Sequence, residues 1–220
     1  MCKMKLKSIT ITILAVLSLS GSAFAQFSIG SDLVSRYVWR GTDFGNAASI
    51  QPSLSYSFGN LEIGAWASYP IFSDSSRIGV NENDLYLFYS IGNLGITLND
   101  YYFPEANQLF NYKSDDAIHL LEISASYNFG KFSLLSGFFF SGDMDNSTYF
   151  EAGYDFYEKD EITANLTVGA GNGFYSVGDG FRLVNIGLTV SRGPGYVAYV
   201  VNPDQDTNFL VFGYSISMGK

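Results

Sequence analysis

The residues able to do chemistry are few. Asp32, Arg36 and Arg40 recur every four residues along one stretch, while Glu62, Glu122, Glu151 and Arg182 stand on or near the polar faces of apolar segments. Charges so placed either select small solutes in a narrow passage or pair with one another to fill and stiffen it. The sequence leaves both readings open. His119 is the only histidine. A His beside a Ser nucleophile would suit hydrolysis or transfer of a lipid acyl group. No Ser lies two residues from it, however, and no Gly-x-Ser-x-Gly element occurs. Its parity matches Leu121, Ile123 and Ala125, which predicts a place on the apolar face. Gly169-Ala170-Gly171-Asn172-Gly173 ends a strand pattern with no helix behind it, so it is not a phosphate cradle. Asp143-Met144-Asp145-Asn146 and Asp204-Gln205-Asp206 alternate oxygen ligands, but neither continues as an EF-hand loop. One cysteine supports neither a disulfide framework nor a Cys-based metal site. The expectation is a non-enzyme without catalytic residues, metal or cofactor.

The elements that must position these charges follow from composition and pattern. The chain has 220 residues, a formal charge of −9, 47% hydrophobic, 17% aromatic and only 15% charged residues. Such aromatic content excludes an acidic disordered chain. The acidic balance argues against a nucleic-acid partner. Residues 1–25 have a Lys3-Lys5-Lys7 n-region, an apolar Ile9–Leu19 run and a small-x-small Ala23-Phe24-Ala25 end, which predicts a cleaved signal peptide. No later stretch is long and apolar enough for a membrane helix. Residues 26–220 are expected to form one domain.

That domain alternates with period two. In Ser49–Phe58, Ile50, Leu54, Tyr56 and Phe58 oppose Ser49, Gln51, Ser53, Ser55 and Ser57. Glu161–Ala170 and Leu210–Met218 do the same. Tyr56-Ser57-Phe58-Gly59-Asn60-Leu61 recurs as Tyr89-Ser90-Ile91-Gly92-Asn93-Leu94 and Tyr127-Asn128-Phe129-Gly130-Lys131-Phe132, each an aromatic strand end followed by a tight turn. Short turns alternate with longer polar connections at 43–48, 73–81, 105–115, 142–146, 172–180 and 202–206. The pattern predicts an all-β, transmembrane, antiparallel up-and-down β-barrel of about 12 strands. Both termini then lie on the short-turn, periplasmic side.

Aromatic residues gather at both strand ends, as interfacial girdles do. Tyr56, Phe58, Tyr89, Tyr127, Phe129, Tyr154, Phe156 and Tyr214 fall near short turns. Trp39, Tyr69, Tyr101, Tyr102, Phe138, Phe140, Phe150 and Tyr199 fall near long loops. The first strand is expected to run through Arg40, with Tyr37 and Trp39 on the lipid face. The long loops are expected to be acidic, with Asp43, Asp74, Glu82, Asp84, Glu105, Asp115, Asp116, Asp143, Asp145, Asp179, Asp204 and Asp206 against Arg77 and Lys113. A solvated rim is the plain reading; attraction of cations is the functional one. In Leu94–Phe103 the parity slips near Asp100, and Tyr196–Val201 is apolar on both parities.

Ser31-Asp32-Leu33-Val34-Ser35-Arg36-Tyr37-Val38-Trp39-Arg40-Gly41, with Ile50-Gln51-Pro52-Ser53 and Glu62-Ile63-Gly64-Ala65-Trp66-Ala67-Ser68, resembles the Gcw_chp family, also called the TorF-type porin family of Gram-negative outer-membrane barrels. The resemblance is sharpest over 26–69. The chain departs from a terminal aromatic by ending in Lys220. The resemblance implies a barrel in the cell outer membrane and no catalytic residue. Function is thus expected to be passive diffusion of small polar or ionic solutes. The alternatives are a non-conducting barrel that binds lipopolysaccharide or a partner, and a lipid-modifying enzyme. Outer-membrane lipid, lipopolysaccharide and the barrel assembly machinery are the expected partners.

Overall fold

The computed structural model describes residues 26–72, 79–104, 109–112 and 118–218. The expected signal peptide, Asp74, Arg77, Glu105, Lys113, Asp115, Asp116 and Lys220 lie outside the described residues. Fourteen strands follow in chain order: β1 (Phe27–Val34), β2 (Val38–Trp39), β3 (Thr42–Asp43), β4 (Ser49–Phe58), β5 (Leu61–Pro70), β6 (Glu82–Ile91), β7 (Leu94–Tyr102), β8 (His119–Phe129), β9 (Phe132–Ser141), β10 (Thr148–Lys159), β11 (Ile162–Gly171), β12 (Arg182–Arg192), β13 (Gly195–Asn202) and β14 (Thr207–Met218). All but β2 and β3 close into one twelve-stranded antiparallel barrel, sealed where β1 pairs with both β4 and β14. Closure leaves no barrel strand with an open edge, which is what strands with one apolar face require.

The wall is inverted relative to a soluble protein. Leu54, Ile63, Leu85, Leu134, Leu188 and Phe212, spread around the outer face, are each between 41% and 63% exposed. Strand residues of the opposite parity face the lumen, among them Ser53 and Ser55 beside Leu54, Asp84 and Tyr86 beside Leu85, and Gly187 and Thr189 beside Leu188. Apolar side chains directed outward all round a closed barrel need hydrocarbon as their solvent, so this is a membrane-spanning barrel. Among the described residues no helix is long and apolar enough to cross a membrane; the strands do the crossing.

The repeated turn motif has a direct structural reading. Phe58 pairs with Leu61, Ile91 with Leu94, Phe129 with Phe132 and Arg192 with Gly195, so each turn has two central residues. The first of each pair is a glycine with φ between 54° and 64°. A positive φ at the first central residue is the demand of a type II′ hairpin turn, which matches the twist of the strands it joins. The remaining turn, Asp160-Glu161, has positive φ at both positions, as a type I′ turn does.

Several expectations need correction. β1 stops at Val34 rather than running on to Arg40. Trp39 and Tyr101 are not girdle residues; they pack on each other inside the barrel at 5.5 Å. Tyr37 is likewise buried within. Glu82 and Asp84 are not loop charges but inward, buried residues of β6. β7 pairs with β6 and β8 without a register shift, so the apparent slip at Asp100 is an outward-facing charge in a regular strand. Shifts occur instead in the β8–β9, β10–β11 and β11–β12 pairs. In β13, Val197 and Tyr199 face out, and Ala198 faces in.

Candidate functional site

The site is a hairpin folded back into the lumen. At Ser35 the chain leaves the wall, held by its N–H to the Phe212 carbonyl at 2.8 Å and by its Oγ, which accepts from the Phe212 N–H at 2.9 Å. β2 and β3 then pair through Val38–Asp43 and Trp39–Thr42. Their turn is Arg40-Gly41, with φ of 50° and 80°. Two positive φ values define a type I′ turn, and a non-glycine residue is strained at the first of them. Gly41 is required by space as well: a Cβ there would lie 1.9 Å from the Val184 carbonyl oxygen. The Gly41 carbonyl accepts from Asn202 Nδ2 at 3.1 Å.

The hairpin reaches strands on every side. Tyr37 packs on Trp66 of β5 at 5.5 Å, and Trp39 on Tyr101 of β7. Arg40 meets Glu122 of β8 and lies 4.8 Å over the Tyr149 ring of β10. Gly41 abuts Val184 of β12 and Asn202 of β13. Arg36 sits 5.0 Å over the Phe209 ring of β14. Within this layer Tyr149, Tyr175, Val184 and Phe139 are at most 1% exposed. The hairpin therefore fills the long-loop half of the lumen with a packed core.

Arg40 is the centre of that core. Its guanidinium grips Glu122 with both nitrogens, Nη1 to Oε2 and Nη2 to Oε1, the latter at 3.0 Å. Tyr175 and Tyr101 hydroxyls donate to the same carboxylate at 3.2 and 3.3 Å. The guanidinium stacks 4.3 Å from the Trp39 ring. Burial alone would lower the Arg40 pKa, but the Glu122 hydrogen bond and charge outweigh it and the net shift is upward. Arg40 is thus a permanent buried cation with a matched anion. Burial, with the Glu82 and Asp84 charges nearby, pushes the Tyr37 hydroxyl up, so it remains a neutral donor toward Glu82.

The other charges expected to face the lumen separate into local groups. Arg36 Nε pairs with Asp43 at 3.0 Å, within the hairpin itself. Glu62, nearer the short turns, accepts from Tyr86 at 2.7 Å and Ser57 at 3.0 Å. Glu151 accepts from the Tyr149 hydroxyl at 2.6 Å and from Asn185 at 3.0 Å. Arg182 lies at the rim, 3.9 Å from Asp204. Asp32 stands in β1 opposite Gln51 and Ser215. Only Arg40 and Glu122 are brought together directly. Sequence reasoning missed Tyr149 and Tyr175. A signal for Tyr175 existed: Gly171-Asn172-Gly173 breaks the strand, and a single 3-10 turn, Gly173–Tyr175, delivers its ring into the lumen.

Two candidate sites resolve into structural roles. Asp143 accepts the Ser147 N–H at 2.6 Å, and Asp204 the Val177 N–H at 2.7 Å. Among the described residues no group of three acidic, His or Cys side chains could hold a metal ion. His119 has outward parity as expected, but it is only 3% exposed because residues 109–112 cover it. Nδ1 meets Asp100 at 2.7 Å, and Nε2 donates to the Leu109 carbonyl at 2.9 Å. Both ring nitrogens are engaged, so neither faces a reacting group.

Fold and site together define a transmembrane β-barrel with a hairpin folded into its lumen. The chain belongs to the Gcw_chp family, described as bacterial protein of unknown function, whose model matches residues 19–217. No curated protein matches its sequence. A membrane protein solved in work on the mechanism of in-meso crystallization of membrane proteins is 11% identical with a TM-score of 0.51, over 88% of this chain and 83% of that one. A multiply substituted Rh. blastica porin is also 11% identical, with a TM-score of 0.42, over 77% of this chain and 55% of the porin. A second Rh. blastica porin variant is 10% identical with a TM-score of 0.38, over 87% of this chain and 99% of that one. At such identities the first likeness speaks for the fold alone.

Proposed function

We propose that this is a bacterial outer-membrane porin, delivered there by a cleaved signal peptide and the barrel assembly machinery, for passive diffusion of small polar or ionic solutes. The observation that carries the reading is the inward hairpin with its Arg40–Glu122 pair, set in the lumen of a closed twelve-stranded barrel. Towards the short turns, inward Ser55, Ser57, Thr97, Ser126, Ser133 and Thr189 are only partly buried, which supports a water-filled vestibule. The hairpin narrows that vestibule from the long-loop end, so it sets what passes and when. No enzymatic step belongs to this reading: both His119 ring nitrogens are engaged, by Asp100 and by the Leu109 carbonyl.

A second reading has its own support. Glu122, Tyr149 and Tyr175 are 0% exposed, a degree of packing that favours a non-conducting barrel. Its loops would then contact lipopolysaccharide or a partner. Single-channel recording in a planar bilayer separates the two. The folded mature chain is compared with a variant in which residues 37–44 are replaced by a Gly-Ser linker. A porin gives discrete steps from the native chain and larger steps from the variant. Steps from the variant alone make the hairpin a permanent plug, and silence from both sinks the porin reading.

A further inference from the structure

The outer wall carries a groove that a loop segment, residues 109–112, overhangs. On most of the wall, outward positions hold Leu, Ile, Phe or Tyr. On β5 two successive outward positions hold Ala65 and Ala67, which leaves a dent between Leu54 of β4 and Leu85 of β6. Residues 109–112 fold down over its upper part and turn the dent into a groove of about 660 Å³. That volume lies within the roughly 300–1,000 Å³ usual for small-molecule sites.

The overhang is anchored rather than loose. His119 Nε2 donates to the Leu109 carbonyl at 2.9 Å, and the Tyr112 hydroxyl donates to Asp100 at 2.8 Å. The His119 ring is stacked between Tyr112 at 4.1 Å and Tyr102 at 4.6 Å. These contacts hold Phe110 at the groove, the residue as a whole 86% exposed. A loop pinned so that a Phe stands unsupported against a membrane-facing groove implies an apolar filler.

We infer that the groove holds one acyl chain of a membrane lipid from the leaflet at the long-loop end. Continuity argues for this ligand: the groove opens onto the lipid-facing wall. Its chemistry is ordered as a lipid is. Leu54 and Ala65 lie deeper along their strands, Leu85 and Asp100 stand opposite each other nearer the long-loop ends of β6 and β7, and Asn83 lies closer still to the rim, where a headgroup meets water. The small side chains give the chain room, and the Leu109–Phe110 overhang covers it from the side. The site is separate from the lumen, and it rests only on the membrane-barrel reading of the wall.

The test uses the mature chain folded in dimyristoylphosphatidylcholine vesicles doped with a phospholipid carrying a photoactivatable diazirine at mid-chain. Crosslinked residues are mapped by mass spectrometry. The expected result is labelling at Ala65, Leu85 and Phe110 about tenfold above that at Leu188 and Val190, wall residues outside the groove. Filling the groove with Ala67→Leu or Ala65→Leu should bring that excess down to the level of the plain wall. Heat-dependent gel migration verifies that each variant is folded. Even labelling of groove and wall overturns the groove while leaving the membrane barrel intact. Absence of labelling anywhere on a folded chain overturns both.

Discussion

Arg40 and Glu122 lie 82 residues apart in the chain and meet in the lumen through both guanidinium nitrogens, with only 9% and 0% of their side chains exposed. A buried pair of this kind adds little net stability over apolar packing, because both ions lose their water. Its contribution is to register. Glu122 offers an anion at one height of β8, and only a hairpin seated with Arg40 at that height satisfies it. The pair therefore fixes where the plug stops.

Removing one partner should cost far more than removing both. Glu122→Ala leaves Arg40 buried without an anion, a loss of about 3–5 kcal/mol. Arg40→Met combined with Glu122→Leu should restore most of it. Urea midpoints from gel-shift refolding check the cycle. A Glu122→Ala midpoint equal to that of the native chain would show that the hairpin is not seated as described.

Gly41 should be intolerant of any side chain. A Cβ would lie 1.9 Å from the Val184 oxygen, and φ is 80°, so Gly41→Ala must lift the hairpin off β12. The barrel pairs none of its wall strands through this residue and should stay closed. Trp39 reports the change. In a Trp66→Phe background it is the sole tryptophan, and its emission should move to longer wavelength in Gly41→Ala as the ring meets water.

The barrel was legible because each of its determinants is local. Alternation marks a strand, a Gly-containing pair such as Gly59-Asn60 marks a II′ turn, and up-and-down order leaves one topology open. The plug was not legible, because Tyr37, Trp39 and Arg40 continue the parity of β1 without a break. Ser35 carries no Gly or Pro to announce that the chain leaves the wall. What ends the strand is tertiary: the Phe212 contact and the Glu122 charge, far along the chain. Parity placed Arg40 in the lumen correctly for a strand it does not belong to. The same parity placed Trp39 in lipid, which the I′ turn reverses. His119 was assigned the right face, but its cover comes from residues 109–112, which share no pattern with it.

Arg36 should behave differently from Arg40. Its pair with Asp43 is 30% and 27% exposed, so water screens it. Arg36→Ala should cost under about 1 kcal/mol of stability. If solutes pass beside the hairpin, the same change should shift the reversal potential in a KCl gradient toward cation preference, because one fixed positive charge is lost. An unchanged potential in a conducting channel would place the path away from Arg36.

Tyr112 supplies a pH test of the overhang. Its hydrogen bond to Asp100, with burial and the Asp100 charge adding, raises its pKa above the ordinary value of about 10. The neutral hydroxyl is the donor, so the tether is fully present below the unfolded pKa and is lost as pH rises through the raised one. The difference in absorbance titration at 295 nm between the native chain and Tyr112→Phe should place this tyrosine above a free one. Titration with the free value would mean that the tether is absent in the membrane.

The sharpest test of the inverted wall is one charge on either face of β12. Leu188 is 41% exposed and points outward near the middle of the strand, while Thr189 points into the lumen. On a water-facing surface Leu188→Arg would be nearly neutral, since an exposed Arg is fully hydrated. In a bilayer it should cost about 2–4 kcal/mol, because a guanidinium at mid-depth must drag water into hydrocarbon. Thr189→Lys, one residue along, should be tolerated, since its charge enters the wet half of the lumen. Refolding into vesicles of the two variants at matched urea concentrations gives the comparison. Equal midpoints would mean that Leu188 does not face lipid, and the barrel would then need another solvent for its outer wall.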